Sequence, residues 1–154
     1  VSDYAAAGLK GSIPLYGPGF LTDGNLEAMG GAGEGLMTTL HYADGLDNAR
    51  DKAFRTKYAS TYKAQPDVYA VQGYDAAQMY EAGLKAAGGD PAKQEDVIKG
   101  MASATIDSPR GSFTLSKAHN PVQDIYLREV KGSENKVVEI VSKGLADPAR
   151  GCKL

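Results

Sequence analysis

The chain has no tryptophan, one cysteine and two histidines among 154 residues. A single cysteine, Cys152, excludes an internal disulfide. The two histidines, His41 and His119, stand far apart in sequence, and nothing near them has metal-ligand spacing. No apolar run approaches the length of a membrane span. No Lys/Arg cluster breaks the even mixture of charge, and the net charge is −2. Nucleic acid and anionic membranes are therefore poor partners for it. A Gly-x-Ser-x-Gly nucleophile elbow is absent, and neither histidine has a nucleophile beside it in sequence. The carboxylates Asp44, Asp47, Asp75 and Asp107 read as caps, turns or polar helix groups. No pair of them is set for acid–base work. Enzyme is accordingly the weaker class. Residues 30–35 are rich in glycine but follow a helix and lack the Gly-Lys-Ser/Thr ending of a phosphate loop. No cofactor or metal is expected.

What remains is a chain long enough for one domain with a real core. Its composition is 42% apolar and 23% charged, as in globular proteins. Nine tyrosines supply most of the aromatic content. The organising stretch is residues 66–80. Pro66 suits a helix start, and Asp67 puts a carboxylate near the positive end of the helix dipole. No proline follows until Pro91, so a helix of about five turns is expected over residues 68–87. Val68, Val71, Ala76, Ala77, Met79, Ala82 and Leu84 lie on more than one side, which predicts burial on several faces. Its first turns also carry Tyr69, Gln72, Tyr74 and Asp75. Those groups either line a ligand cleft at that end of the helix or pack as satisfied core residues.

The other elements follow in order. Residues 2–7 read as a short helix stopped by Gly8. Residues 12–16 read as a buried strand, which Pro14 places at a sheet edge or makes begin late. The loop Gly17-Pro18-Gly19-Phe20-Leu21 comes next, at a strand end where open α/β folds hold ligands. Gly19 would allow close backbone approach and Phe20 an apolar wall; an ordinary turn with a core phenylalanine is the other reading. Thr22 or Asp23 is expected to cap a short helix through Met29. Residues 36–42 read as a second strand. Residues 49–63 read as a helix with an apolar stripe of Phe54, Tyr58 and Tyr62. Its run Arg50, Asp51, Lys52, Arg55 and Lys57 is expected to be a solvated face. Pro91 is expected at the first position of a further helix that turns Val97, Ile98 and Met101 inward. Strands are expected at 111–115, at 122–130 and, after a turn at 132–135, at 136–141. His41 reads as a strand-end structural residue and His119 as an exposed turn residue.

The order Ile13-Pro14-Leu15-Tyr16-Gly17, then Gly33-Glu34-Gly35-Leu36, then Pro66-Asp67-x-Tyr69 with Tyr74-Asp75-Ala76-Ala77 resembles the solute-binding proteins of ABC transporters. The group is the branched-chain amino acid one, type I periplasmic binding proteins. The Ser108-Pro109-Arg110-Gly111 turn and the Asp124-Ile125-Tyr126 strand fit it too. The resemblance implies an α/β fold: an incomplete, C-terminal portion of a protein with two Rossmann-like lobes closing on a ligand. It implies that residues 1–43 belong to the second lobe, 44–116 to the first, and 117–154 to the second again. It implies a periplasmic receptor that delivers a small organic solute to a membrane permease. The ligand would lie between Gly19, Phe20 and Leu21 on one side and Tyr69, Gln72 and Tyr74 on the other, with Tyr74 and Asp75 alternatively holding a hinge. Amino-acid binders of this group often carry a glutamate where Gly19 stands, to pair with the ligand's ammonium. Its absence favours an aromatic carboxylate over an amino acid. A ligand-sensing regulator or an enzyme on the same scaffold is the alternative of another class. The start, without methionine or a signal segment, is expected to reflect processing or a partial chain. Cys152 is then a free thiol or a partner for a cysteine elsewhere in the receptor. Apolar surface left on the 68–87 helix is expected to find a partner, as in a homodimer.

Overall fold

The computed structural model describes residues 1–151. The expectation for Cys152 lies outside the described residues. Eleven elements and two short 3-10 turns follow one another. They are α1 (Ser2–Ala6), β1 (Tyr16–Pro18), α2 (Leu26–Met29), β2 (Met37–Leu40), α3 (Ala49–Tyr62), α4 (Val68–Ala86), α5 (Gln94–Ser103), β3 (Thr105–Ile106), β4 (Phe113–Leu115), β5 (Pro121–Lys131) and β6 (Glu134–Leu145). The 3-10 turns are Gly19–Leu21 and Gly30–Ala32. No helix among the described residues is long and apolar enough to cross a membrane.

The strands run in the order β1-β2-β5-β4-β3, with β6 also paired to β5. β1 and β2 are parallel; every other pairing is antiparallel. β5 is the spine. Its Pro121 and Val122 pair with β4, while Tyr126 to Glu129 pair with β2. Alternation sets its two faces. Tyr126, Arg128 and Val130 are buried, while Leu127 and Glu129 are part-exposed.

β1 begins late and lies at the edge, as Pro14 required, but it starts at Tyr16 instead of residue 12. Ile13 is exposed, and its carbonyl accepts the Tyr4 hydroxyl in a turn instead of a ladder bond. The two-residue β3 had no sequence signal; it exists because β4 lies beside it.

Local chemistry explains the helices. Asn48 caps α3 by accepting from the Asp51 amide, 2.7 Å away. Asp67 caps α4 by accepting from the Ala70 amide at 2.9 Å. α5 starts at Gln94, three residues later than Pro91 implied, because the Asp90 carboxylate takes the Ala92 amide and makes a turn there. Ile98 faces solvent, whereas Val97 is buried. α4 is buried along one stripe, Val68, Val71, Asp75 and Gly83, and not on several faces. Ala76, Ala77 and Tyr80 are exposed. The expected solvated face of α3 also fails in part. Asp51 is fully buried, accepting from the Tyr42 hydroxyl at 2.9 Å, and Arg55 bonds Tyr42 and Asp44.

The main core is Leu40, Tyr42, Ala43, Leu46, Val68, Val71 and Tyr126, with Phe54 against it. It gathers the end of β2, the first turns of α4 and the middle of β5. Any site at the N-terminal end of α4 stands on this core.

Candidate functional site

α4 divides its first turns among three directions, since successive residues turn by about 100°. Val68, Val71 and Asp75 face the core. Ala70 and Tyr74 face α3, where they line a groove of about 490 Å³ with Arg50, Phe54, Lys57 and Tyr58. Tyr69 and Gln72 share the third direction.

On that third side the Tyr69 ring lies against Phe20, with centroids 6.1 Å apart and planes 26° from parallel. Both rings are about half exposed: Phe20 49% and Tyr69 50%. Two residues 49 apart in sequence thus form one open aromatic wall. Gln72, one turn after Tyr69, lies 3.3 Å through its Nε2 from His41 Nε2. Leu21 is part-buried beside Phe20.

Gly19 is buried, and the reason for glycine is internal. A Cβ there would lie 2.5 Å from Leu40 Cβ and 2.8 Å from Arg128 Nη2. The close approach is to the protein's own β2 and β5. Tyr74 does not join the wall. Its hydroxyl accepts from Arg50 Nη2 at 2.5 Å and its ring packs on Phe54, centroids 5.1 Å apart. Phe20 and Tyr69 are therefore brought together, with Gln72 one turn on from Tyr69; Gly19 faces Leu40 and Arg128, the Leu21 side chain lies by Gly17, and Tyr74 is turned away.

Arg128 holds the Phe20 loop in place. It is fully buried and donates to the Gly19 carbonyl at 3.1 Å, Asp23 Oδ2 at 2.6 Å, Thr38 Oγ1 at 3.0 Å and the Tyr42 carbonyl at 2.9 Å. One guanidinium so ties the loop, both ends of β2 and β5. Its five donors suit this use, and the charge is matched by Asp23. Burial pushes the Asp23 carboxyl up from its ordinary value, against the pull of the Arg128 hydrogen bond and charge. This pairing replaces the capping role expected of Asp23; the α2 N-cap position is Asn25, with no side-chain bond. Thr22 is likewise buried, donating to Asn135 Oδ1 at 2.6 Å.

A second buried pair anchors α4 to the chain before β4. Arg110 Nε donates to Asp75 Oδ2 at 2.9 Å, and the Ser108 hydroxyl donates to the same oxygen at 2.9 Å. The Arg110 carbonyl takes the Tyr126 hydroxyl. Burial raises the Asp75 carboxyl and lowers the Arg110 guanidinium, and each partner opposes the other's shift. Asp75 is therefore a tie between α4 and the Ser108–Arg110 turn.

His41 and Arg128 were the residues whose part in the site sequence reasoning missed. Arg128 had a signal: it sits in register with Tyr126 and Val130 on the inward face of an alternating strand, where a cation needs a partner. His41 had only its place at a strand end. Burial, then the charges of Arg110 and Arg128, lower it from 6.5 to about 4. Its imidazole is neutral near pH 7.

Phe20, on the loop that Arg128 braces, and Tyr69, at the start of α4, thus form one half-exposed aromatic pair on an α/β scaffold. Residues 1–136 match the family described as periplasmic binding protein. The chain belongs to that family, with the α/β fold of its type I members. It is similar to a solute-binding protein of an ABC transporter from R. palustris in complex with benzoate. That likeness is 54% identical with a TM-score of 0.91, over 99% of this chain and 42% of that one. Another solute-binding protein, from Rhodopseudomonas palustris BisB5 in complex with 3,4-dihydroxybenzoic acid, is 30% identical with a TM-score of 0.83. It is covered over 42% of its length by 96% of this chain. Among curated proteins, the Leu/Ile/Val-binding protein homolog 6 of Brucella abortus is 34% identical over 86% of this chain and 35% of its own length. The chain thus spans about two-fifths or less of these relatives.

Proposed function

We propose that the chain is the part of an extracytoplasmic solute-binding protein that grips the ring of an aromatic carboxylate and serves an ABC permease. The observation that carries this is the half-exposed Phe20–Tyr69 wall. Asp23 answers Arg128, and Asp67 caps α4. A bound amino acid would find no glutamate at position 19 to pair with its ammonium, and an unpaired ammonium is costly in a closed cleft. An aromatic ring instead finds stacking surface, worth about 0.5–1.5 kcal/mol per ring pair beyond area burial. The benzoate and dihydroxybenzoate complexes of similar proteins support the same ligand class.

The receptor works by binding, in the periplasm, and hands its solute on unchanged. On this reading Gly19, Phe20, Leu21, Tyr69 and Gln72 line the cleft from this chain's side. Tyr74 and Asp75 hold α4 against α3 and the Ser108–Arg110 turn. The Brucella relative's name favours one second reading, a branched-chain amino acid.

Calorimetry on the receptor's full chain separates the two. Benzoate or a hydroxybenzoate should bind, and Tyr69→Ala should weaken that binding by about 1–3 kcal/mol, as loss of a buried aromatic anchor does. Unchanged affinity would remove Tyr69 from the site. Tight binding of leucine with no aromatic acid bound would overturn the ligand class.

A further inference from the structure

His41 follows β2 directly and is part-buried. The side chain before it, Leu40, fills the space a Cβ on Gly19 would need. Gln72 follows Tyr69 by one turn on the same side of α4. The His41–Gln72 contact therefore lies one turn along α4 from Tyr69 and next in the chain to the Leu40 that backs Gly19. Where the Gln72 Nε2 donates, His41 Nε2 accepts and the imidazole proton sits on Nδ1. Among the described residues neither His41 Nδ1 nor the Gln72 side-chain carbonyl has a hydrogen-bond partner. The pair thus offers two donors, His41 Nδ1–H and the second Gln72 N–H, and an acceptor, the Gln72 oxygen.

It offers no free charge. The two cations that act on His41 are matched elsewhere, Arg110 by Asp75 and Arg128 by Asp23. With its titration held near 4, the imidazole stays neutral at pH 7. A cationic or anionic ring substituent would meet no counter-ion there. A phenolic hydroxyl both donates and accepts, which is the complement of Nδ1–H and the amide oxygen.

We propose that His41, together with Gln72, reads a hydroxyl on the ligand's ring and is the residue that makes the cleft prefer hydroxybenzoates over benzoate. The proposal rests on the aromatic-acid reading above. An unsubstituted ring edge would leave both polar groups without partners, and sites built to bond a hydroxyl discriminate against the analogue lacking it.

The test is calorimetry on the receptor's full chain with benzoate, 3-hydroxybenzoate and 4-hydroxybenzoate, for the wild type, His41→Leu and Gln72→Met. The wild type should bind one hydroxybenzoate about tenfold more tightly than benzoate. His41→Leu should remove that preference, the hydroxylated ligand losing at least about fivefold more affinity than benzoate. Gln72→Met keeps the test open if His41→Leu does not fold, because Gln72 lies on a part-exposed helix face and should erase the same preference. Equal losses for both ligands, no loss for either, or a wild-type preference for benzoate would each overturn the role of His41. Wild-type protein that binds none of the three acids would overturn the aromatic-acid reading itself.

Discussion

Arg128 and His41 meet burial in opposite ways. Arg128 keeps its charge by matching it to Asp23 and three oxygens. His41 gives its charge up. A histidine whose titration is lowered on folding adds stability that is fully present above the unfolded value, 6.5, and is lost as pH falls towards about 4. The wild type should therefore lose stability between pH 7 and pH 4.5 relative to His41→Leu. Urea unfolding of the full chain at both pH values measures it. Parallel pH dependence in the two proteins would show that His41 is protonated without penalty. The unequal legibility of these residues has a physical cause. Arg128 falls on an alternating strand, so period alone marks it as inward. Gln72 and Tyr69 fall on a helix with a clear start. The environment of His41 comes from Gln72, Arg110 and Arg128, distant in sequence, and no local pattern encodes that meeting.

Elements with a long period were readable: α3, α4 and β5 stand within a few residues of where their capping and alternation place them. Three short elements were not. The Gly19–Leu21 turn, the two-residue β3 and the late β1 depend on what packs beside them. The direction of burial was the weaker inference for α4, because small residues such as Ala76 and Ala77 pack and solvate about equally well. Its contact with α5 shows what small residues do when they are buried. A Cβ on Gly100 would lie 2.6 Å from Ala86 Cβ and 3.0 Å from the Gly83 Cα. The two helices touch backbone to backbone. Gly100→Leu should thus destabilise the full chain by about 1–3 kcal/mol through overpacking. Gly73→Ala, also within a helix but with nothing near its Cβ, should stabilise by about 0.5–1 kcal/mol. Chemical denaturation of both variants checks the pair, and a neutral Gly100→Leu would contradict the close helix contact.

At the scale of the whole molecule, β5 joins two kinds of structure. β6 pairs along it from Gln123 to Lys131, its C-terminal half also pairs with β2, and its N-terminal end pairs with β4, near the helical stretch of α3, α4 and α5. We propose that this stretch, residues 44–116, is the first-lobe portion and the flanking segments the second, so that the Phe20–Tyr69 contact bridges the two. The arrangement explains why the wall is built from a loop on one side and a helix start on the other. The central claim is that this bridge grips the ring of an aromatic acid. A crystal structure of the full-length receptor grown with 4-hydroxybenzoate tests it most directly. The ring should lie in van der Waals contact with both Phe20 and Tyr69, its hydroxyl within hydrogen-bond distance of His41 or Gln72. A ligand bound elsewhere, with Phe20 and Tyr69 still packed only on each other, would contradict it.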